Sequence, residues 1–342
     1  MTAEELWHQF CNEMKIDEVT PYEAWSFGDE VTCGDGLLEM VLQGRKFGTS
    51  SAYDEYVAEN ALEDLPQVGD YSVLLKSNGA AVCVIRNYDV YIRPFESVPP
   101  FHAYSEGEDD RSLESWKVIH TKFFSPRLET IDKPLNAESL IVCEKFTVEY
   151  TAEADMEKME ELFFVEPSMT YAEEISAYRE EMLEAESSFD GCFSMKRMPD
   201  PKEYVDYCTE FANPSRVLNE NGARGTVLLC IRKADNRMVG CMQVHHVLNR
   251  QMRDITGHVG YSVRPSERRK GYATQMLAKA KDYLLSFGFS EIYVSCLPKN
   301  EASRRTILAN GGEYIETVHL ESDKVDLERY VIKLEKIFCF YD

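Results

Sequence analysis

The sequence predicts a two-domain protein of the α+β and α/β classes, with a small β-barrel and flanking helices first, and a mixed β-sheet with helices on both faces second. Three observations carry this. The 342 residues exceed one ordinary core of about 100 to 200 residues. Short β-rich runs dominate the first half, whereas strand and helix patterns alternate in the second. The composition also changes near residue 150, where strand-like Leu140 to Val148 gives way to an acid-rich stretch from Thr151 to Phe164, so the domains are placed at 1–150 and 151–342.

In the first half, Ala3 to Met14 reads as a helix and Asp35 to Leu42 as another that stops at Gly44. Strands are expected at Tyr71 to Leu75, Ala81 to Ile85 and Tyr88 to Ile92, the first two joined by the hairpin signal Ser77-Asn78-Gly79. The second half opens with helices over Tyr171 to Glu186 and Pro201 to Phe211. Strands follow at Thr226 to Arg232 and Met238 to Val247, turning at Ala234 to Arg237. Then come a strand from Gly257 to Val263 halted by Pro265, a helix from Ala273 to Phe287 stopping at Gly288, a strand from Glu291 to Cys296, and a helix from Ala302 to Ala309 closed by Gly311-Gly312.

Composition narrows the function. Hydrophobic residues make up 44%, enough to build cores. The first residues carry acids where a secretory leader would carry bases, and no apolar run approaches a membrane span, so a cytoplasmic protein without membrane contact is expected. Ten cysteines are scattered singly, without Cys-x-x-Cys or a Cys/His cluster at zinc spacing; they read as reduced, mostly buried thiols, and no metal site is expected. The net charge of −23 is uneven: residues 1–150 hold 12 Lys and Arg against 28 Asp and Glu. Such a half repels phosphate backbones, which argues against duplex DNA or long RNA tracts and leaves a nucleoside or a single exposed nucleotide. Oligomeric state is not encoded legibly.

The clearest chemical signal is the turn between the strand ending at Val263 and the helix after it, Arg268-Arg269-Lys270-Gly271-Tyr272-Ala273. A helix N-terminus offers unpaired N–H groups, and Gly271 puts no Cβ in the way, so a diphosphate can approach the backbone closely. The three bases reverse the acidic sign of the chain locally. A second element, Asn300 to Arg305, follows the strand ending at Cys296 and runs to Asn310-Gly311-Gly312. Together these resemble the cofactor motifs of the GNAT superfamily of N-acetyltransferases, over residues 155 to 335 in outline. The resemblance implies acetyl-CoA as cofactor and a small-molecule amine as acceptor, with the pantetheine paired to the strand edge near Val263 and Asn300 on its arm. Many members carry a tyrosine seven residues after that asparagine, where this chain has Ile307, so water or another group must protonate the thiolate, with Ser303 as one stand-in. His245, His246 and His258 are the candidate bases, since histidine titrates near neutrality.

The first half resembles the ASCH domain, a PUA-like barrel associated with RNA or modified nucleosides. The resemblance rests on Trp25-Ser26-Phe27-Gly28-Asp29, Gly44-Arg45-Lys46-Phe47-Gly48-Thr49, Leu65-Pro66-x-x-Gly69, Arg93-Pro94-Phe95 and Glu106-Gly107-Glu108-Asp109 in that order, followed by Leu113 and Trp116. It implies that Lys46, Thr49 and either Glu108 or Glu106 could hydrolyse an acetylated nucleoside, with Trp25 and Phe27 stacking its base. Two further readings stay open: a nucleoside hydrolase with an acyl-CoA-sensing second half, and an RNA-binding module that delivers an acetyltransferase.

Overall fold

The computed structural model describes residues 1–28, 31–151, 162–218, 222–320 and 324–334. The chain divides into two compact units, Met1–Glu160 and Glu161–Asp342.

The first unit opens with helix α1, Ala3–Met14, at the bounds its pattern predicts. Thr2 and Glu5 form a reciprocal capping box, satisfying two N-terminal amides. The inner face of α1 puts Leu6, Trp7, Phe10 and Cys11 against Val73, Val84 and Tyr150, each large apolar side chain contributing about 1.5–3 kcal/mol by burial. Next come β1 (Tyr22–Trp25), α2 (Val31–Leu42), β2 (Gly48–Ala52) and α3 (Tyr53–Ala58). They are followed by β3 (Tyr71–Leu75), β4 (Ala81–Pro94), α4 (Pro100–Glu106), α5 (Leu113–Glu129) and β5 (Leu140–Thr151). The strands expected at Ala81 to Ile85 and Tyr88 to Ile92 are one strand, β4, whose register shifts against β5 between Asn87 and Asp89. A bulge, rather than a turn, absorbs the break in alternation.

The sheet order is β1-β3-β4-β5-β2, with β1 and β3 parallel and the other pairs antiparallel. This is a curled but open sheet, since β1 and β2 are its two edges among the described residues; the expected closed barrel is not formed. The β3–β4 hairpin turns where predicted, with Gly79 at φ 80° and the Asn78 side chain accepting from the Ala80 N–H.

The second unit contains β6 (Leu162–Val165), α6 (Ala172–Glu184), α7 (Pro201–Ala212), β7 (Arg224–Arg232), β8 (Arg237–Val247) and β9 (Val259–Val263). It continues with α8 (Tyr272–Leu285), β10 (Glu291–Cys296), α9 (Glu301–Ala309), β11 (Gly312–Leu320) and β12 (Val325–Lys333). The single mixed sheet expected from the sequence is instead two antiparallel sheets among the described residues, β6-β7-β8-β9 and β10-β12-β11. Helices do flank both faces of the four-stranded sheet. A side chain at Gly240 would meet Met276 of α8, whereas the next residue, Cys241, lies against Tyr204 of α7.

The two sheets are joined through the backbone at one place. The His258 N–H donates to the Tyr293 carbonyl at 2.8 Å, the Tyr293 N–H donates to His258 Nδ1 at 3.0 Å, and Gly257 bridges Val294. Beyond that joint no ladder among the described residues covers the outer edge of β9. Eight cysteines are free and buried; the side chains of Cys33 and Cys339 lie outside the described residues. Among the described residues no helix is long and apolar enough to cross a membrane.

Candidate functional sites

The turn from β9 to α8 is held at its base by Arg264. This residue is only 4% exposed and donates to Glu181 at 2.7 Å, Glu174 at 2.9 Å and the Met238 carbonyl at 3.1 Å. Burial pushes the Glu181 carboxyl up, but bonds from Arg264 and the Ser266 N–H outweigh it and bring it to about 2. The turn then winds through two left-handed residues, Arg269 at φ 65° and Gly271 at φ 83°, before α8 starts at Tyr272. No hydrogen bond among the described residues takes the N–H groups of Arg269, Lys270, Gly271 or Ala273. Such a run of unpaired amides at a helix start is a seat for an anion. A Cβ at Gly271 would have no atom within 4 Å, so the seat opens to free space.

The three bases of the turn do not act alike. Arg268 donates to the Val263 carbonyl at 3.1 Å and to the Ser187 hydroxyl. Lys270 lies 2.6 Å from Glu267, which also pairs with Arg232 at 2.7 Å. Among the described residues Arg269 alone of the three has no partner, and it is exposed. Tyr272 is 3% exposed with its hydroxyl against Arg232, so its side chain belongs to the core. The loop therefore presents amides and one free guanidinium, rather than three loose cations.

Across the opening, Asn300 caps α9 by accepting from the Ser303 N–H at 3.1 Å and is itself exposed. Ser303 Oγ lies 2.9 Å from the hydroxyl of Tyr261, a residue of β9, so this contact spans from β9 to α9. Burial pushes the Tyr261 phenol up to about 12, keeping its proton in place at neutral pH. Ile307, where many relatives carry a tyrosine, is fully buried. Tyr261 was not singled out from sequence: strand alternation gives its face but not the helix its hydroxyl meets.

None of the three histidines is a proton acceptor suited to neutrality. Burial lowers His245 to about 4 and His246 to about 3, the latter stacked on Phe287 with ring centroids 4.3 Å apart. His258 is 2% exposed, burial lowers it too, and its Nδ1 lone pair is occupied by the Tyr293 N–H.

In the first unit a second polar centre is built around Glu106, 2% exposed at the end of α4. Its carboxylate accepts from Lys46 Nζ at 2.8 Å, Ser50 Oγ at 2.5 Å and Trp116 Nε1 at 3.0 Å, and lies within 3.4 Å of His102 and His120. Lys46 also reaches Glu108 at 3.2 Å, so both glutamates left open by the sequence contact it. Burial would lower the Lys46 ammonium, but the two carboxylates more than offset this and raise it. A lysine held as ammonium has no lone pair with which to activate a hydroxyl. Nor is Thr49 brought to the carboxylate: β2 alternates, Ser50 faces Glu106, and Thr49 faces the other side with Glu144 as its strand partner. Phe27 is packed in the core with Leu38, Leu74 and Phe146, whereas Trp25 lines a cavity of about 410 Å³. Asp29 lies outside the described residues.

A family model described as the ASCH domain matches residues 23–150, and one described as the acetyltransferase (GNAT) domain matches residues 171–313. Among solved structures, an ASCH domain from Lactobacillus crispatus JV V101 is similar to 43% of this chain at 26% identity, over 93% of its own length, with a TM-score of 0.41. Protein EF3133 from Enterococcus faecalis V583 matches 42% of this chain at 30% identity, over 86% of its own length, with a TM-score of 0.39. RimJ from Mycobacterium smegmatis, solved in complex with CoA-disulfide, matches 52% of this chain at 16% identity, over 83% of its own length, with a TM-score of 0.41. No curated protein matches. The chain thus carries, in succession, a region matched by the ASCH domain model and a region matched by the acetyltransferase (GNAT) domain model.

Proposed function

We propose that the second unit transfers an acetyl group from acetyl-CoA to the nitrogen of a small-molecule amine. The observation that carries this reading is the group of amides of Arg269, Lys270, Gly271 and Ala273, which no hydrogen bond among the described residues takes, around an open Gly271. Those amides and the free Arg269 guanidinium would hold the diphosphate, while the outer edge of β9 and Asn300 would take the amide-bearing arm. Acetyl-CoA supplies the activated acetyl group.

Aminolysis of a thioester needs a neutral amine and a proton for the departing sulfur. Tyr261 fits the second need: its phenol is protonated at neutral pH, and its hydroxyl sits at the gap between β9 and α9. For the first need no histidine serves, so the amine loses its ammonium proton to solvent before attack, and the proton that its nitrogen sheds as the amide forms restores the Tyr261 phenol, directly or through solvent. The ammonium of Lys46, salt-bridged on two sides, argues against hydrolysis by the first unit and favours a binding role for it.

Thiol release from acetyl-CoA in the presence of a panel of amines tests this. Release that depends on the amine is expected. If no amine raises it above background while calorimetry shows CoA bound, acetyl transfer is wrong.

A further inference from the structure

The cavity in the first unit differs in chemistry from a site for phosphates. It encloses about 410 Å³, within the range of small-molecule sites. Two aromatic side chains, Trp25 and Tyr56, stand in its wall; of the other two aromatic residues at the cavity, Tyr22 is already stacked on Trp7 with ring centroids 4.4 Å apart, and Tyr71 has the Arg86 guanidinium 5.3 Å from its ring centroid. Four carboxylates line it, Glu23, Asp64, Asp70 and Glu144, and no lysine or arginine does so among the described residues.

Glu144 is the inner carboxylate. It projects from β5 on the side of Thr49, and one of its oxygens accepts from Asn87 Nδ2 at 2.8 Å. Its other oxygen has no hydrogen bond among the described residues, although the side chain is half-buried in the cavity wall. A half-buried carboxylate with a spare oxygen, in a cavity with aromatic walls, lacks its counter-charge. The quadrupole of a ring face attracts a cation, and the half-buried Glu144 adds to that attraction at reduced dielectric, whereas the exposed Glu23, Asp64 and Asp70 add a weaker, solvent-screened term. Phosphate or a polynucleotide would be repelled by the same groups.

We infer that this cavity binds a small organic cation, a protonated amine, with Glu144 as its counter-charge and the rings of Trp25 and Tyr56 as its aromatic walls. The inference concerns the first unit alone and stands whether or not the second unit transfers acetyl groups.

Binding should depend on pH. Burial raises the Glu144 carboxyl to about 7; the Asn87 bond opposes this, while Glu23 of β1, Asp70 before β3 and Glu106 of α4 reinforce it. The Tyr56 phenol of α3, raised by burial, stays neutral throughout. Between pH 6 and pH 8 Glu144 thus passes from mostly protonated to mostly ionised, so an amine that remains protonated binds about tenfold more tightly at pH 8.

Titration calorimetry on the full chain tests this with four probes: benzylamine, its neutral isostere benzyl alcohol, cytidine, and cytidine monophosphate. Benzylamine should bind at least tenfold more tightly than benzyl alcohol and gain about tenfold from pH 6 to pH 8. Glu144→Gln keeps the shape and the Asn87 neighbour, so it should remove that pH dependence and most of the affinity. The wild-type comparisons stand alone should the variant fail to fold. No benzylamine binding, equal affinity for benzyl alcohol, or tighter binding of cytidine or its phosphate would each overturn the assignment, the last two in favour of a neutral or phosphorylated nucleoside.

Discussion

Replacing Gly271 with valine separates the stability of the turn from its proposed capacity to hold a diphosphate. The residue sits at φ 83°, where an L side chain costs about 1–2 kcal/mol, and no atom lies within 4 Å of the new Cβ. The free protein therefore bears the backbone strain and no packing clash. The bound state loses more, because the branched side chain occupies the space into which the amides of Arg269 to Ala273 open. Hydrogen bonds to a charged group are each worth about 1.5–3 kcal/mol, so losing two costs about 3–6 kcal/mol, or a hundredfold to ten-thousandfold in CoA affinity. Gly288 provides the control: it has φ 78° and equally open surroundings at the far end of α8. Gly288→Val should lower stability similarly and leave affinity unchanged. Calorimetric titration with CoA, paired with denaturant melts, reads both quantities. If Gly271→Val binds CoA within about threefold of wild type, the diphosphate is held elsewhere.

Other outcomes follow from the same geometry. Tyr261→Phe should lower kcat on the order of a hundredfold with little change in KM for acetyl-CoA, and an unchanged kcat would remove Tyr261 as the proton donor. The rate should rise with pH along the ionisation of the amine acceptor; a midpoint that stays fixed when a less basic amine is used would point to a protein base instead. Lys46→Met strands the buried Glu106 and should cost about 3–5 kcal/mol in denaturant melts, with a loss below about 1 kcal/mol refuting the pair. Burial pushes the Glu106 carboxyl up, but Lys46 and His120 outweigh it and hold it well below its usual range, so its contribution is full above about pH 4.3 and is lost as pH falls through its folded value. Lys46 is raised, so its contribution is full below about pH 10.4 and lost above its folded value; the deficit of the variant should be largest between those limits. Gly191→Ala drives a Cβ into the backbone of Gly260 and Tyr261 and should destabilise the second unit by more than about 2 kcal/mol. A neutral effect in urea melts would show that the segment moves freely.

Legibility in the sequence followed the locality of the forces involved. The bounds of α1 could be read because its cap, Thr2 with Glu5, and its apolar stripe are encoded within one stretch of chain. Gly271 was singled out for its missing Cβ, a property of one residue, whereas its φ of 83° and the left-handed Arg269 two positions before it were not read. By contrast β1 and β2 escaped notice: Thr49, Ser50 and Ser51 look like a loop, and only their ladder to Glu144, Cys143 and Val142 makes them a strand. That ladder also decides that Ser50 and not Thr49 meets Glu106, a matter of strand parity that Lys-x-x-Thr spacing does not contain. The bases of the turn before α8 were visible as charges, but the partners that neutralise Arg268 and Lys270 depend on tertiary placement. So does the meeting of Tyr261 with Ser303, separated by 42 positions.

The joint at His258 has a mechanical consequence. Because its backbone N–H is committed to one sheet and its carbonyl to the other, the opening between β9 and β10 is a wedge whose apex is pinned at Gly257 and His258. A thin, flexible chain can slide into such a wedge edge-on, but a bulky ring cannot reach the vertex without first breaking bonds on both sides. Any occupant of this slot would thereby be sorted by thickness before its charge is recognised.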